Sequence, residues 1–584
     1  VVTTSDIRRR VVPDGAQPWR DTHPVLWRVL AARGATDAAA VDYRLGRLLP
    51  PQPLGGLDSA CALLATAIRE DQRITIVGDY DADGATGTAV LVRGLRSLGA
   101  RHAGFRVPHR ALHGYGLSPA LVAELAEDSP DLLITVDNGI AAHAGVAAAR
   151  AAGMRVLVTD HHLPGTTLPD ADAIVNPNVE GDAFASKALP GVGVAFYLLL
   201  ALRAHLRACG RFDAVRPEPD LSELLDVVAL GTVADLVPLD FNNRLLVAAG
   251  LRRIRSGRAC AGVQALLAIS GRQPHAVAAS DLAFALGPRI NAAGRIDDMT
   301  LGIRCLLADD PAEAQDLARQ LDGINAQRRE IQAGMQEAAD AIVAAWRSDG
   351  DAPLPAGLCL RDPGWHAGVV GLVASRVKDR CNRPVIALAP AGADRSTWQG
   401  SGRSVHGFHL RDALADIAAR QPGLLERFGG HAMAAGVTVR ESALDAFAQA
   451  FDRRVREALG DAPDRAVHDS DGELEGAQAT LMLADLLQTA GPWGQGFPEP
   501  AFDGEFDVVD WKVMAGKHLR LTLAFARCGT RVEAVYFGGW TGAPPPTRLR
   551  ALYQLVADEW GGERRARLLL RHVEPAEGRQ PSPR

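Results

Sequence analysis

The chain has 584 residues, too many for one hydrophobic core, so several domains are expected. With 63 Lys and Arg against 69 Asp and Glu the formal charge is −6, which excludes a globally basic nucleic-acid coat and makes any basic footprint local. Seven scattered cysteines with no CxxC spacing exclude a disulfide framework and a thiolate zinc cage, and a reducing compartment, the cytoplasm, is the expected location.

The Arg-rich N-terminus lacks the apolar run of a signal peptide, and no stretch reads as long and uncharged enough to span a bilayer, so no membrane association is expected. From Ile74 to Pro177 strand-like runs alternate with helical ones. Ile74–Val77 leads into Thr86–Leu98, Phe105–Val107 into Leu117–Leu125, and Leu132–Val136 into Ile140–Ala151, after which Val156–Thr159 follows. That alternation predicts a parallel, doubly wound α/β sheet, whose ligands sit beyond the carboxyl ends of the strands. Helices are predicted at Val192–Arg207 and Leu221–Ala229. Pro311–Trp346 is almost free of breakers, with Leu317, Leu321, Ile324, Ile331, Met335, Ile342 and Val343 at helical spacing, and reads as a long connecting helix. The Gly/Pro/Asp-rich segment Asp349–Gly357 marks a boundary, and a second α/β region runs from Leu358 to Gly460. Leu519–Ala526, Val532–Phe537 and Leu549–Val556 are short strand patterns that suit a small β-barrel, and the polar tail Glu574–Arg584 reads as disordered.

The chemistry lies at the ends of the predicted strands. VGDYDADG at Val77–Gly84 places Asp79, Asp81 and Asp83 at alternate positions directly after an apolar run. LLITVDN adds Asp137, VLVTDHH adds Asp160, His161 and His162, and ALGTVADLVPL adds Asp235. An isolated acidic triplet of this kind is often a solvated turn or a calcium loop, and Asp235 alone could cap a helix. Together with His161, the carboxylates of Asp79, Asp81, Asp83, Asp137 and Asp235 are too many to gather without a cation. Oxygen donors with imidazole suit Mn²⁺ or Mg²⁺ better than structural zinc, and a shared carboxylate allows two ions. Such a pair activates water and polarises a phosphoryl oxygen.

Phosphate also needs cations. Arg96, Arg101, Arg106, Arg110, His102, His109 and His113 cluster near the first motif, with Arg110 and the glycines of GYGL placed to face substrate. Arg289 and Arg295 flank Asn291 in GPRINAAGR, where small residues permit close backbone approach. In GSGRS, Arg403 lies between Ser401 and Ser404, a pattern suited to bidentate phosphate capture, with His431 of FGGH as its companion. Trp493, Phe497, Trp511, Lys512, Lys517, His518, Arg520 and Tyr536 fall in the barrel-like part, where aromatics with cations suit strand stacking, although Phe497 and Tyr536 read as core.

GDYDADG, TVDNG, TDHH and TVADLVPL resemble, in order, the four motifs of the DHH phosphoesterase superfamily. GPRINAAGR, GSGRS and FGGH narrow the resemblance to its single-strand-specific 5′→3′ DNA exonucleases over about Ile74 to Gly539. The resemblance implies a DHH catalytic metal-binding domain with an N-terminal extension over 1–310, a connecting helix over 311–348, a DHH-associated substrate-binding domain over 349–462, an OB-fold over 463–573 and a tail over 574–584. It implies two Mn²⁺ or Mg²⁺ ions on Asp81, Asp83, Asp137, His161 and Asp235, with Asp79 a ligand or an orienting neighbour. Asp137 bridges the ions, His162 faces the phosphate and Asp160 orients its neighbours. Arg289, Asn291 and Arg295 contact substrate phosphates, and the DHH-associated domain closes over the metal domain. The implied activity is hydrolysis of single-stranded DNA to 5′-mononucleotides in DNA repair and recombination, by a monomer, with a single-strand-binding protein and a helicase as partners. The alternatives are a DHH phosphoesterase for short oligonucleotides or cyclic dinucleotides, against which the long β region argues, and a non-catalytic DNA-binding scaffold, against which the intact acidic motifs argue.

Overall fold

The computed structural model describes residues 5–19, 22–109, 113–348, 354–391, 396–460, 466–560 and 563–576. They fall into two compact units. The first contains Ile7–Ile290, Gly302–Ala318 and the chain from Val467; the second is built chiefly from Asn291–Leu301 and Arg319–Ala466.

In the first unit β1 (Ile74–Gly78), β2 (Ala103–Arg106), β3 (Leu132–Val136), β4 (Arg155–Thr159) and β5 (Ala173–Val175) form a parallel sheet in the order β2-β1-β3-β4-β5. All five residues of β3 are buried, as the two-sided apolar run requires. The chain leaves β1 for β2 on one side and reappears as β3 on the other. The resulting switch point opens a crevice at the carboxyl ends of β1 and β3.

Helices α1 (Ala82–Ser97), α2 (Pro119–Glu127) and α3 (His143–Ala151) are the crossovers, followed by α4 (Gly191–Ala208), α5 (Leu225–Ala234) and α6 (Phe241–Arg255). α1 begins four residues before its predicted start, because Asp81 caps it and its first turn is made of small residues. Small size also lets α1 pack closely: a Cβ on Gly87 would lie 2.5 Å from Val136 Cγ1, and one on Gly94 2.2 Å from Leu199 Cδ1. α4 corrects an expectation, being long and apolar enough to cross a membrane by length and composition. It is a core helix: Val192, Val194, Tyr197, Leu198, Leu199 and Leu202 are fully buried.

The next segment is a π-helical turn at Leu282–Leu286 that runs into α7 (Gly287–Ile296). α8 (Pro311–Ser348) is 38 residues long. In the second unit Met335, Ala339 and Val343 of α8 pack with Leu358 and Leu360 of β6 (Leu358–Arg361) and with Val370 and Val373 of α9 (Val370–Cys381). The sheet continues with β7 (Val385–Ala391), β8 (Thr397–Arg403), β9 (Arg427–Gly430) and β10 (Ala434–Arg440), in the order β9-β10-β8-β7-β6. α10 (Leu410–Arg420) and α11 (Leu444–Leu459) complete its second core through Leu410, Leu414, Phe447 and Phe451.

The first unit also contains α12 (Leu481–Thr489) and a closed barrel of β11 (Phe502–Met514), β12 (His518–Phe525), β13 (Arg531–Tyr536), β14 (Arg548–Trp560) and β15 (Glu563–Pro575). Parallel pairing of β13 with β15 closes it around Phe502, Phe506 and Tyr553. β15 extends through Glu574 and Pro575, so the polar tail expected from Glu574 is ordered at its start, where Leu549 and Arg550 of β14 pair with these residues. The barrel is clasped by two arginines from the start of the chain. Arg9 reaches buried Asp503 at 2.8 Å, and Arg33 makes a forked contact with Asp471 at 2.7 and 2.9 Å.

Candidate metal centre

Each motif residue is delivered by a backbone feature of the first unit. Past β1, Asp81 Oδ1 caps α1 by accepting from Asp83 N (2.9 Å) and Gly84 N (3.0 Å). Asp83 is aimed across the crevice at the start of α4, where its oxygens accept from Gly191 N (2.6 Å) and Val192 N (2.9 Å). A helix N-terminus offers unpaired N–H groups to a carboxylate, which anchors Asp83. Gly191 is needed there, since a Cβ would come 2.7 Å from Asp137 Cβ and 2.9 Å from Asp83 Oδ2.

Asp137 follows β3 with φ +61°, a left-handed conformation that costs a non-glycine residue about 1 kcal/mol or more. Its N–H donates to Thr159 O (3.1 Å) and its carbonyl accepts from Tyr115 Oη (3.0 Å). Asn138 ties the two strand ends together, donating to Val77 O (3.0 Å) and Val136 O (2.9 Å).

After β4, Asp160 acts as a hub. Its Oδ1 accepts from His161 N (2.7 Å), His162 N (3.1 Å) and His162 Nδ1 (2.8 Å), and its Oδ2 from Ile140 N (2.9 Å). Burial pushes the Asp160 carboxyl up, yet the His162 hydrogen bond and charge win and hold it below its ordinary value. Burial opposes the charge on His162 too, but Asp160 raises its pKa to about 9, which makes it an imidazolium at neutral pH. Burial lowers the pKa of His161, leaving a neutral ring whose Nε2 lies 3.0 Å from Asp137 Oδ1, 3.7 Å from Asp235 Oδ2 and 3.9 Å from Asp83 Oδ2.

Asp235 caps the carboxyl end of α5, where the helix dipole disfavours an anion, and Leu236 after it has φ +60°. Burial, then repulsion from Asp81, raises Asp235 to about 7. Burial, then repulsion from Asp235, raises Asp83 to about 8, and burial with Asp83 raises Asp137 well above the carboxylate range. The His162 imidazolium, 3.8 Å from Asp137 Oδ1, is too little positive charge for these carboxylates. The donor atoms fall into three sets, each within 4.8 Å: Asp79, Asp81 and Asp137; Asp83, His161 and Asp235; and Asp137, His161 and His162. Asp137 Oδ1, His161 Nε2 and Asp235 Oδ2 are buried and, among the described residues, have no hydrogen-bond partner. Buried lone pairs converging from oxygens and one neutral imidazole fit a hard divalent cation such as Mn²⁺ or Mg²⁺. Asp79 belongs to one donor set with Asp81, and Asp137 is common to two.

Arg110 lies outside the described residues. The basic segment around it is partly neutralised, with Arg106 paired to Asp128 (2.6 Å), Arg101 to Asp71 (3.5 Å) and His113 to Glu124 (2.7 Å). Arg289, Asn291 and Arg295 share helix α7, but Arg289 belongs to the first unit and the other two to the second. Arg289 Nη1 donates to Ala285 O (2.6 Å), and Arg295 Nη1 reaches Gly368 O at 3.4 Å. On β8, Arg403 Nη1 donates to Ser401 Oγ (2.8 Å) and Gly402 O (2.8 Å), below the start of α9, where a Cβ on Gly371 would meet Arg403 Nη2 at 2.9 Å. Burial lowers the Arg403 pKa, and the guanidinium has no carboxylate partner among the described residues.

Ser404 corrects an expectation. It is 1% exposed and its hydroxyl donates to Phe408 O (2.6 Å), so it does not flank Arg403 toward a phosphate. Strand alternation puts Ser401 and Arg403 on one face and turns the next residue to the other. His431 is exposed at the β9–β10 hairpin, next to Gly430, where a φ of +135° and the 2.4 Å at which a Cβ would meet Ala434 O demand glycine.

On the barrel, Trp511 stacks on Trp540 (5.7 Å, 22°) and His518 meets Phe537 edge-on (5.2 Å). Trp511 is 38% and Phe537 63% exposed. Trp493 is not part of that surface: it is buried, stacks on core Phe497 and donates to Leu487 O (2.8 Å). Arg520 is committed to Glu533 at 2.8 Å. Two residues were missed in the sequence. Tyr115 holds Asp137, and Tyr80 meets Tyr115 edge-on at 6.1 Å. The signal was the aromatic between Gly114 and Gly116, both at positive φ.

Three family models match in order: the DHH family N-terminal domain at 73–232, the DHHA1 domain at 354–457 and the RecJ OB domain at 470–572. The chain is 48% identical to the single-stranded-DNA-specific exonuclease RecJ of Dickeya dadantii, over 98% of this chain and 99% of that protein. To the Escherichia coli protein of the same name it is 46% identical, over 97% and 99%. Among solved structures it is similar to Thermus thermophilus RecJ in complex with Mn²⁺, with TM-score 0.80 and 31% identity over 98% of this chain and 80% of that one. The same protein with Mg²⁺ gives TM-score 0.75 at 30% identity, over 98% and 79%.

Proposed function

The chain belongs to the RecJ family of single-stranded-DNA-specific exonucleases, and on that premise we propose how its residues carry out metal-dependent hydrolysis of phosphodiesters. The observation that carries the reading is three overlapping donor sets at the sheet's switch point, joined through Asp137, common to the first and third, and His161, common to the second and third. Asp79, Asp81 and Asp137 would hold one divalent ion, and Asp83, His161 and Asp235 the second. When bound, two such ions supply an activated water and charge neutralisation at the transferred phosphoryl group.

The protein's own groups fix the geometry of that exchange. Asp81 and Asp83 are locked by backbone N–H groups, so their free lone pairs are aimed before an ion arrives. His162, kept protonated by Asp160, faces the scissile phosphate and stabilises negative charge as the 3′ oxygen leaves. Arg403 beside Ser401 captures a further phosphate. The Trp511–Trp540 and His518–Phe537 pairs with Lys512 and Lys517 hold the strand by base stacking, which a duplex cannot offer.

The direction is 5′→3′, the products are 5′-mononucleotides, and the setting is DNA repair and recombination, with a single-strand-binding protein and a helicase as partners of a monomer; the family resemblance supports these. Oligonucleotides labelled at either end, single- or double-stranded, digested with Mn²⁺, Mg²⁺ or chelator, test the reading. Release of labelled mononucleotide first from the 5′ end of single strands, abolished by chelator, is expected. Release first from the 3′ end overturns the polarity, and chelator-resistant cleavage overturns the metal assignment.

A further inference from the structure

A cavity of about 210 Å³ lies in the first unit, away from the acidic residues. Tyr43, Arg252, Arg255, Ser280, Trp493 and Glu499 are among its walls, so α6, the segment before the π-helical turn and the link from α12 to the barrel all contribute. Arg252 and Arg255 stand three apart in the last turn of α6 and therefore share a helix face. Arg252 Nη2 donates to Tyr43 O (2.8 Å) and Arg255 Nε to Val277 O (2.8 Å). Those carbonyls fix the two side chains and leave N–H donors over on each guanidinium.

Neither arginine has a carboxylate within 4.0 Å among the described residues, and burial lowers the pKa of both. Glu499, an acid in the lining, is held by Gln554 Nε2 (2.8 Å) and forms no ion pair with either arginine. A cation in the last turn of a helix is ordinarily explained by the helix dipole. The dipole does not explain the cavity that both arginines line, and Arg255 is half-buried there, with Asp281 acting on it from beyond ion-pair distance. Two guanidiniums, the half-buried Arg255 and the more exposed Arg252, over a cavity whose walls are part polar and part apolar match the oxygens of a phosphate group. Glu499, in the same lining, can accept from a hydroxyl or amino group on the same ligand.

We propose that this cavity is a second phosphate-binding site, distinct from the metal centre, for a nucleotide phosphate held by Arg252 and Arg255. The phosphate has two sources, a free mononucleotide or the backbone of a bound strand. The first of these rests on the exonuclease reading, which makes mononucleotides the product.

The test uses the full chain with chelator present, so that neither ligand is cleaved. Thymidine 5′-monophosphate is titrated by calorimetry and a labelled 20-nucleotide oligo(dT) by fluorescence anisotropy. Arg252→Ala/Arg255→Ala is expected to weaken mononucleotide binding by about tenfold or more. Arg252→Lys/Arg255→Lys restores part of it, and Mn²⁺-dependent cleavage at saturating strand stays within about twofold. Oligo(dT) affinity that falls in parallel, with a log–log salt slope smaller by about 0.7 per lost contact, assigns the pocket to the strand backbone; loss for the mononucleotide alone assigns it to the product. Ser280→Trp, which fills the cavity and leaves both arginines unsubstituted, repeats the loss if the double variant unfolds. Wild-type affinity for both ligands in the double variant and in Ser280→Trp overturns the proposal. A protein that binds the mononucleotide but cleaves nothing with Mn²⁺ would sink the exonuclease reading and leave the pocket standing.

Discussion

The Tyr115 hydroxyl donates a 3.0 Å hydrogen bond to the carbonyl of Asp137, the residue that carries the left-handed backbone at the centre of the acidic crevice. The bond satisfies the carbonyl of a strained residue and fixes the direction of its carboxylate. Tyr115→Phe removes the bond without emptying the space. It is expected to raise the Mn²⁺ concentration for half-maximal rate and to lower kcat about tenfold, equivalent to about 1.4 kcal/mol, with KM for a long strand little changed. A manganese titration of the single-turnover rate checks this, and an unaltered metal dependence would remove Tyr115 from the positioning role.

The crowded carboxylates predict a pH-dependent weakness of the metal-free protein. Asp83 is raised to about 8 by burial and repulsion from Asp235, and Asp235 to about 7 by burial and repulsion from Asp81, against about 3.9 when unfolded. Between those values the folded state binds more protons than the unfolded one, so stability contributed below pH 4 is lost as pH rises through 7 to 8. Urea unfolding with chelator should therefore show lower stability at pH 8.5 than at pH 6, and Mn²⁺ should stabilise more at the higher pH, because binding displaces protons. Equal stability at both values without metal would contradict the electrostatic picture.

Asp503 predicts the opposite behaviour in acid. Burial favours its neutral form, but hydrogen bonds from Arg9 (2.8 Å), Ser470 Oγ (2.6 Å) and Arg550 (3.1 Å) win and depress its pKa. Its contribution is present above the unfolded carboxylate pKa of about 3.9 and is lost as pH falls through the lower folded value. Asp503→Asn should cost about 2–3 kcal/mol at pH 7, short of a fully buried pair because Arg9 is half-exposed, with the deficit shrinking toward pH 3. Paired denaturant titrations at the two pH values measure it.

The stacked pair Trp511 and Trp540 should matter for strand retention and not for bond cleavage. Trp511→Ala is expected to weaken binding of a long single strand by about 1–3 kcal/mol, raise its KM and shorten processive runs, while kcat on a saturating short substrate holds. An unchanged KM would move strand retention to another surface.

The alternating runs from Ile74 to Thr159 made the parallel sheet readable, because strands buried on both faces are written as unbroken apolar segments. The acids were readable for the same reason: a carboxylate that ends such a run has few places to point. The contacts that aim them were not. Asp83 is anchored by Gly191 and Val192, more than a hundred residues away, and no local pattern encodes that meeting. The positive φ of Asp137 was equally hidden, since only its tertiary ties to Thr159 and Tyr115 hold it. Ser404 misled because a hydroxyl beside an arginine looks functional until strand alternation decides its face. The π-helical turn before GPRINAAGR and the depth of Trp493 likewise depend on packing.

Anomalous scattering from crystals of the full chain soaked in Mn²⁺ tests the central claim most directly. The account predicts two manganese peaks about 3.5–4 Å apart, one among Asp79, Asp81 and Asp137 and the other among Asp83, His161 and Asp235, with Asp137 touching both. A lone peak, or none in the crevice at saturating metal, would contradict it.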